Sequence, residues 1–214
     1  MMSDVQRLRD QAFEGGAFAW IRLVLLHVEI LGVLAVLISA FGVQFMMGEL
    51  PCPLCLLQRM GMILTLFGPA YVLIRRHYDD EGVTPADRVA TAFGMSVLGG
   101  MLGLAMASRQ VLLHILPGDP GYGEPMFGMH LYSWAAVVFI VVIVTSGITI
   151  LFHRQLAPGR ATGPMPWYTK ATLVLMAIVI AANVLNAIAE GGFHLFLPDN
   201  PGEYRLFGIT PDAK

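Results

Sequence analysis

The segment at residues 51–76, PCPLCLLQRMGMILTLFGPAYVLIRR, carries both cysteines of the chain, Cys52 and Cys55, at one end and the pair Arg75 and Arg76 at the other. Between them, residues 56–74 form an apolar run close to the roughly 20 residues an α-helix needs to cross a ~30 Å hydrocarbon core. Four further runs, at 21–47, 89–107, 131–152 and 171–189, have comparable lengths. Composition agrees: 56% of the 214 residues are hydrophobic, 13% are charged and the mean hydropathy is +0.67, far more apolar than a soluble domain. The expectation is an all-α integral membrane protein with five spans in a single membrane domain over 1–214. The first run is over-long, with His27 and Glu29 near its start, so part of it lies at the interface or tilts. It lacks the short apolar core and cleavage site of a secretory signal.

Sidedness follows from the basic residues. Arg7, Arg9, Arg22, Arg75, Arg76, Arg88, Arg154, Arg160 and Lys170, nine of the 13 Lys and Arg, fall at one side of this five-span reading, whereas segments 48–53 and 114–130 have none. The positive-inside rule makes the N-terminus cytoplasmic and turns the cysteines outward. Residues 1–20 are then a cytoplasmic lead-in, read as mobile rather than as the short amphipathic helix that 3–20 could form, because Gly15 and Gly16 weaken that helix, and residues 190–214 an outward tail. In a Gram-negative bacterium the outward side is the periplasm, where disulfides persist. With a net charge of -2 and no basic patch, nucleic acid is excluded as a partner and membrane lipid is implied.

The cysteines sit where a helix begins. Pro51 and Pro53 flank Cys52, and proline suits the first helical position, so Cys52 is expected at the cap and both sulfurs in the first turn. Unpaired amides and the positive end of the helix dipole favour thiolate over thiol there. Arg59, four residues beyond Cys55, falls on the same face one turn deeper and can hold an anion. A C-x-x-C pair also serves zinc, haem attachment or inert packing. Haem attachment is disfavoured because Leu56, not histidine, follows Cys55, and zinc lacks two further ligands. Redox chemistry leads.

Gln44, Pro51-Cys52-x-Leu54-Cys55 and Gln58-Arg59, with SRQVLLH at 108–114 and FGMHLYSW at 127–134, resemble the disulfide bond formation protein B (DsbB) family of quinone-linked membrane oxidases. The resemblance covers the first four spans and implies a four-helix transmembrane bundle, here with a fifth C-terminal span. It also implies a quinone, ubiquinone or menaquinone, beside the cysteine pair, and a periplasmic thioredoxin-fold (DsbA-like) dithiol as partner. Carried over by position, Cys55 donates to the quinone, Cys52 enters mixed disulfides, and Arg59 is the cation near the quinone head. Arg109, in SRQVLLH, either helps close the quinone site or anchors the third span. A fixed positive charge in a dry site stabilises negative charge as it develops. Thiol exchange with a partner runs in the direction set by relative reduction potentials.

Two features depart from the family pattern. The second outward loop, HILPGDPGYGEPMFGMH, lacks the family's second cysteine pair, and the fifth span with its tail is additional. Asn183, Asn186 and Glu190 form a polar stripe on that span, read as helix packing rather than ligand binding. His114 and His130 bracket the loop, either as proton acceptors or as partners of backbone. His27 and Glu29 are read as pairing with Arg22. Two readings of other classes stay open. Met46, Met47, Met60, Met62, Met126 and Met129 with the cysteines could bind Cu(I), or the chain could be a non-catalytic assembly subunit.

Overall fold

A computed structural model of the protein describes residues 19–78, 82–161, 163–194 and 196–210; the lead-in at 1–20 lies almost wholly outside them. The described residues form α1 Ala19–Met47, α2 Pro53–Arg75, α3 Pro85–Leu113, α4 Leu131–Leu151, the single turn α5 His153–Leu156 and α6 Trp167–Gly191. Five of these are long and apolar enough to cross a membrane, and among the described residues the only strand-like pairings are two isolated bridges, Met126 with Met129 and Tyr204 with Ile209. The chain is an all-α, multi-pass membrane protein.

Four of the five long helices overrun the apolar runs that announced them, and α4 stops one residue inside its own, because capping rather than hydropathy ends a helix. At the start of α3, the Thr84 hydroxyl accepts the Asp87 N–H at 3.1 Å and donates to the Asp87 carboxylate at 2.6 Å, with Pro85 at the first position; this satisfies an amide that would otherwise lack a partner. Helix α2 starts the same way from a sulfur: Cys52 is the cap, extended at φ -68 and ψ 164, and its Sγ accepts the Cys55 N–H at 3.2 Å.

Helix α2 is the central element. Two thirds of its most apolar stretch (67%) is buried, against 22–39% for the other four spans. Its contact with α3 is made by glycines: a Cβ on Gly61 would stand 2.7 Å from the Gly103 Cα, one on Gly99 would meet the Leu64 backbone, and one on Gly68 would collide with Ser96 and the Ala92 carbonyl. Small residues let backbones approach where lipid offers no hydrophobic drive for association. Phe139 of α4, fully buried, fills the space left by Gly103. Helix α6 packs on the other side, against α1 at two levels: His27 Nε2 with Thr169 Oγ1 at 3.1 Å, and Gln44 Nε2 donating to Asn186 Oδ1 at 2.7 Å.

The two ends of the bundle are tied by different contacts. At one, Arg22 donates to the Ala157 carbonyl (3.0 Å) and the Ala161 N–H to that of Arg76 (3.0 Å). At the other, the loop before α2 meets the loop before α4: Tyr122 Oη donates to the Leu50 carbonyl (2.6 Å), and the Glu124 N–H to Glu49 (3.2 Å). A tight turn at 126–129, with Phe127 at φ 52 and Gly128 at φ 81, completes the second loop.

Candidate functional site

Both cysteines stand at the loop end of α2, neither in a disulfide. Cys52 is buried and Cys55 half-buried. The side chain of Gln110, from α3, spans them: its Nε2 lies 3.2 Å from Cys52 Sγ and 3.6 Å from Cys55 Sγ, while its Oε1 accepts from Gln58 Nε2 at 2.7 Å. The neighbouring Cys55 sulfur and burial hold the Cys52 thiol well above its ordinary range, so Cys52 is the proton-bearing partner at neutral pH.

Arg59 lies one turn below Cys55, buried. It donates to Gln44 Oε1 at 2.9 Å and to the Ala40 carbonyl at 3.2 Å, with its guanidinium 5.0 Å from the centre of the Phe41 ring. These partners come from α1, so the cation is held on both sides of the α1–α2 contact. The expected face relation of Cys55 and Arg59 is present.

Two unlike cavities meet the pair. The first, about 470 Å³, lies between α1 and α4 and is lined by Cys55, Gln58, Arg59 and Gln44 at its polar end and by side chains such as Val36, Met62, Trp134 and Val138 elsewhere. Val36, Trp134 and Val138 also border a second apolar cavity of about 490 Å³ that reaches Arg22 and Glu29, so the two make one trough along the α1–α4 face. The other cavity at the cysteines, about 740 Å³, opens among the loops and is lined by Cys52, Gln110, His114, Tyr122 and tail residues Asp199 to Pro201. Leu50 and Tyr122 border both sides. Burial pushes the Tyr122 phenol up, which keeps it a hydrogen-bond donor to Leu50.

A flat, apolar ring carrying carbonyl oxygens fits the first cavity. Its walls are largely hydrocarbon, and the Arg59 guanidinium and the amides of Gln44 and Gln58 converge at the Cys55 end, with Ser39 of α1 and the loop residues Glu49 and Tyr122 as its other polar lining. Small-molecule sites likewise have few, placed polar groups.

Arg109 is not brought to this site. It is exposed and borders neither cavity at the cysteines, while its neighbour Gln110 is buried between them. His114 and His130 are engaged within the loop: His114 Nδ1 lies 3.0 Å from Asp119, His130 Nε2 lies 3.1 Å from the Pro120 carbonyl, and both rings stack on Tyr132. The Asn183, Asn186 and Glu190 stripe is buried against the bundle. Of the soft donors, Met46, Met47 and Met60 are exposed and Met62 lies in the core. Among the described residues no three His, Cys, Asp or Glu side chains cluster as metal ligands.

Sequence reasoning missed Gln110, Tyr122 and Tyr204. A signal existed for Gln110. Gly99, Gly103, Ala107 and Gln110 recur at the spacing of one helix face, and Arg109 is about 100° off it. Nothing comparable marks the two tyrosines, which reach the site from loops.

A family model described as disulfide bond formation protein DsbB matches residues 22–122. Disulfide bond formation protein B 1 of Pseudomonas savastanoi pv. phaseolicola is 36% identical over 153 residues, covering 57% of this chain and 85% of that protein. Disulfide bond formation protein B of Burkholderia pseudomallei is 26% identical over 151 residues, 56% of this chain and 85% of its own length. That of Chromobacterium violaceum is 35% identical over 80 residues, 37% of this chain and 44% of its own. No solved structure matches.

Proposed function

The chain belongs to the disulfide bond formation protein B family, and on that premise we propose that it is a thiol:quinone oxidoreductase of the bacterial inner membrane. It takes electrons from a periplasmic thioredoxin-fold dithiol and passes them through Cys52 and Cys55 to a membrane quinone, supporting disulfide formation. Its N-terminus is cytoplasmic and its cysteines face the periplasm. One observation carries the reading: Cys52 borders the open loop-side cavity and Cys55 the apolar one, with Gln110 within reach of both sulfurs.

From that arrangement the steps follow. A thiolate of the partner attacks Sγ of Cys52 in the oxidised pair; the Cys52–Cys55 bond breaks and Cys55 leaves as the thiolate. The partner's second thiolate then attacks its own sulfur of the mixed disulfide, and Cys52 leaves. The partner has lost two electrons and the pair has gained them. The bound quinone supplies a two-electron, two-proton acceptor. Cys55 delivers the electrons at the polar end of the apolar cavity and re-forms its bond to Cys52 as both thiol protons depart. Arg59 offers a fixed positive charge where negative charge develops, at no cost of reorganisation. Gln110 donates to whichever sulfur is anionic, and the Tyr122–Leu50 contact keeps water from the apolar side.

With two cysteines in the sequence only one internal disulfide can be held, so exchange is direct with the partner. Acid trapping of cells tests this. Cys55→Ala is expected to accumulate a mixed disulfide through Cys52 and Cys52→Ala none; in the purified wild type, added quinone should convert the dithiol to the disulfide. No adduct in either variant, with dithiol oxidation unaffected by quinone, would refute the assignment.

A further inference from the structure

We propose that α6 and the C-terminal segment are part of the quinone site: Glu190, Asn186 and Tyr204 hold Gln44, and through it Arg59, in one orientation beside Cys55. The inference rests on the thiol:quinone reading above. Both parts lie beyond the residues the family model matches, 22–122.

The hydrogen bonds run in one direction. Arg59 donates to Gln44 Oε1 (2.9 Å); Gln44 Nε2 donates to Asn186 Oδ1 (2.7 Å) and to Tyr204 Oη (2.9 Å); Asn186 Nδ2 lies 3.5 Å from Glu190 Oε2. A guanidinium can only donate, so it demands the oxygen of Gln44. That turns the Gln44 amide nitrogen to Asn186 Oδ1 and leaves the Asn186 nitrogen facing Glu190, so one setting runs through the network. Turning Gln44 over would set its NH2 against the guanidinium and its oxygen against that of Asn186. Aligned bonds of this kind also polarise one another in a low dielectric.

Packing alone gives no reason for this chain. Gln44, Arg59, Asn186 and Glu190 are all buried, Glu190 completely, and Glu190 Oε1 has no hydrogen-bond partner. Buried polar groups in a membrane bundle are costly, and apolar side chains of similar size would join α1 to α6 at least as well. The tail is shaped to serve the same contact. Gly192, at φ 59, reverses the chain after α6, the Leu206 N–H donates to the Ala189 carbonyl at 3.0 Å, and Tyr204 is thereby brought back to Gln44. Glu190, Asn186 and Tyr204 border neither cavity at the cysteines; they are positioning residues acting through Gln44, which does border the apolar one.

The test uses the full-length chain with Trp20→Phe and Trp167→Phe, leaving Trp134, in the cavity wall, as the fluorophore. Quenching by a short-chain ubiquinone reads binding, and two half-reactions are timed: thiol exchange at Cys52 with a soluble dithiol, and oxidation of the reduced pair by the quinone. Asn186→Leu is expected to weaken quinone binding and lower its kcat/KM about tenfold, the effect of loosening one charge-assisted hydrogen bond, with exchange at Cys52 unchanged. Glu190→Gln and Tyr204→Phe, which keep size and fold, should do the same to a smaller extent, roughly threefold. A structural defect would slow both half-reactions together. Wild-type binding and quinone kinetics in folded Glu190→Gln and Tyr204→Phe would overturn the inference, whatever becomes of Asn186→Leu. A wild-type chain that neither binds nor is oxidised by the quinone would instead overturn the oxidase reading itself.

Discussion

Replacing Arg59 by alanine separates what the cation does for folding from what it does for chemistry. In the structure it gives up two hydrogen bonds, 2.9 Å to Gln44 and 3.2 Å to the Ala40 carbonyl, and the contact with Phe41 at 5.0 Å. Removing it also removes a buried charge that is expensive to desolvate, so the net folding change is small beside the sum of those contacts. The activity change is not offset in this way. If the guanidinium makes one hydrogen bond that strengthens as charge develops at the acceptor, its loss costs about 1.5–3 kcal/mol, roughly ten- to 150-fold in rate. Arg59→Lys keeps the charge but cannot present a planar fork to Gln44 and Ala40 at once, so it should fall between wild type and alanine. The assay is stopped-flow oxidation of the pre-reduced pair by a short-chain quinone, with thiol exchange at Cys52 as the internal control. A folded Arg59→Ala chain with wild-type quinone kinetics would remove Arg59 from the site.

Other outcomes follow from particular contacts. Gln110→Leu takes the donor from both sulfurs and strands the buried Gln58 amide that gave its hydrogen bond to Gln110 at 2.7 Å; both half-reactions should slow about tenfold and stability fall by about 1–3 kcal/mol, read by stopped flow and thermal melts in detergent. Gly68→Val drives a side chain into Ser96 and the Ala92 carbonyl, and overpacking of about 1–3 kcal/mol or more should appear as lost expression and a lower melting temperature, whereas Gly42→Ala, open to space, should be neutral. Asp119 is held below its ordinary value of 3.8 by the Gly121 N–H and then by His114. A depressed carboxylate stabilises the fold above its unfolded pKa and loses that contribution as pH falls through the folded one. Hydrogen exchange in residues 114–130 should therefore stay slow at neutral pH and rise on acidification below about pH 4, and Asp119→Asn should abolish that dependence.

Spans and the cysteine–arginine face were legible because each depends on neighbours along one helix. Apolar length identifies a span, and three- and four-residue spacing places Cys52, Cys55 and Arg59 together. What escaped depends on which helices become neighbours. Gln110 meets Cys52 across 58 residues of sequence, and Gln44 meets Asn186 and Tyr204 across 142 and 160; no periodicity encodes such separations. Arg109 is read from the resemblance of SRQVLLH, yet the glycine face of α3 turns its neighbour Gln110 inward and the arginine out. His27 likewise reaches across the sequence, to Thr169 of α6, besides the Leu23 carbonyl on its own helix.

The inequality of the two cysteines arises from helix geometry at a boundary. Three residues of α-helix turn about 300° and rise about 4.5 Å, so positions 52 and 55 lie nearly one above the other, close enough for a disulfide, yet about 60° apart in direction. On a helix start buried evenly on all sides that angle would matter little. Here the start of α2 forms the wall between an apolar trough and a loop-lined opening, and 60° is enough to give Cys55 to the first and Cys52 to the second. The cap position widens the difference, since Cys52 has extended rather than helical backbone and its sulfur turns back over the first turn. A shorter spacing would carry the second sulfur to the opposite side of the helix; a longer one would lower it past the loops toward Arg59. The two-residue gap is thus the spacing at which one bond can close between sulfurs that serve different chambers.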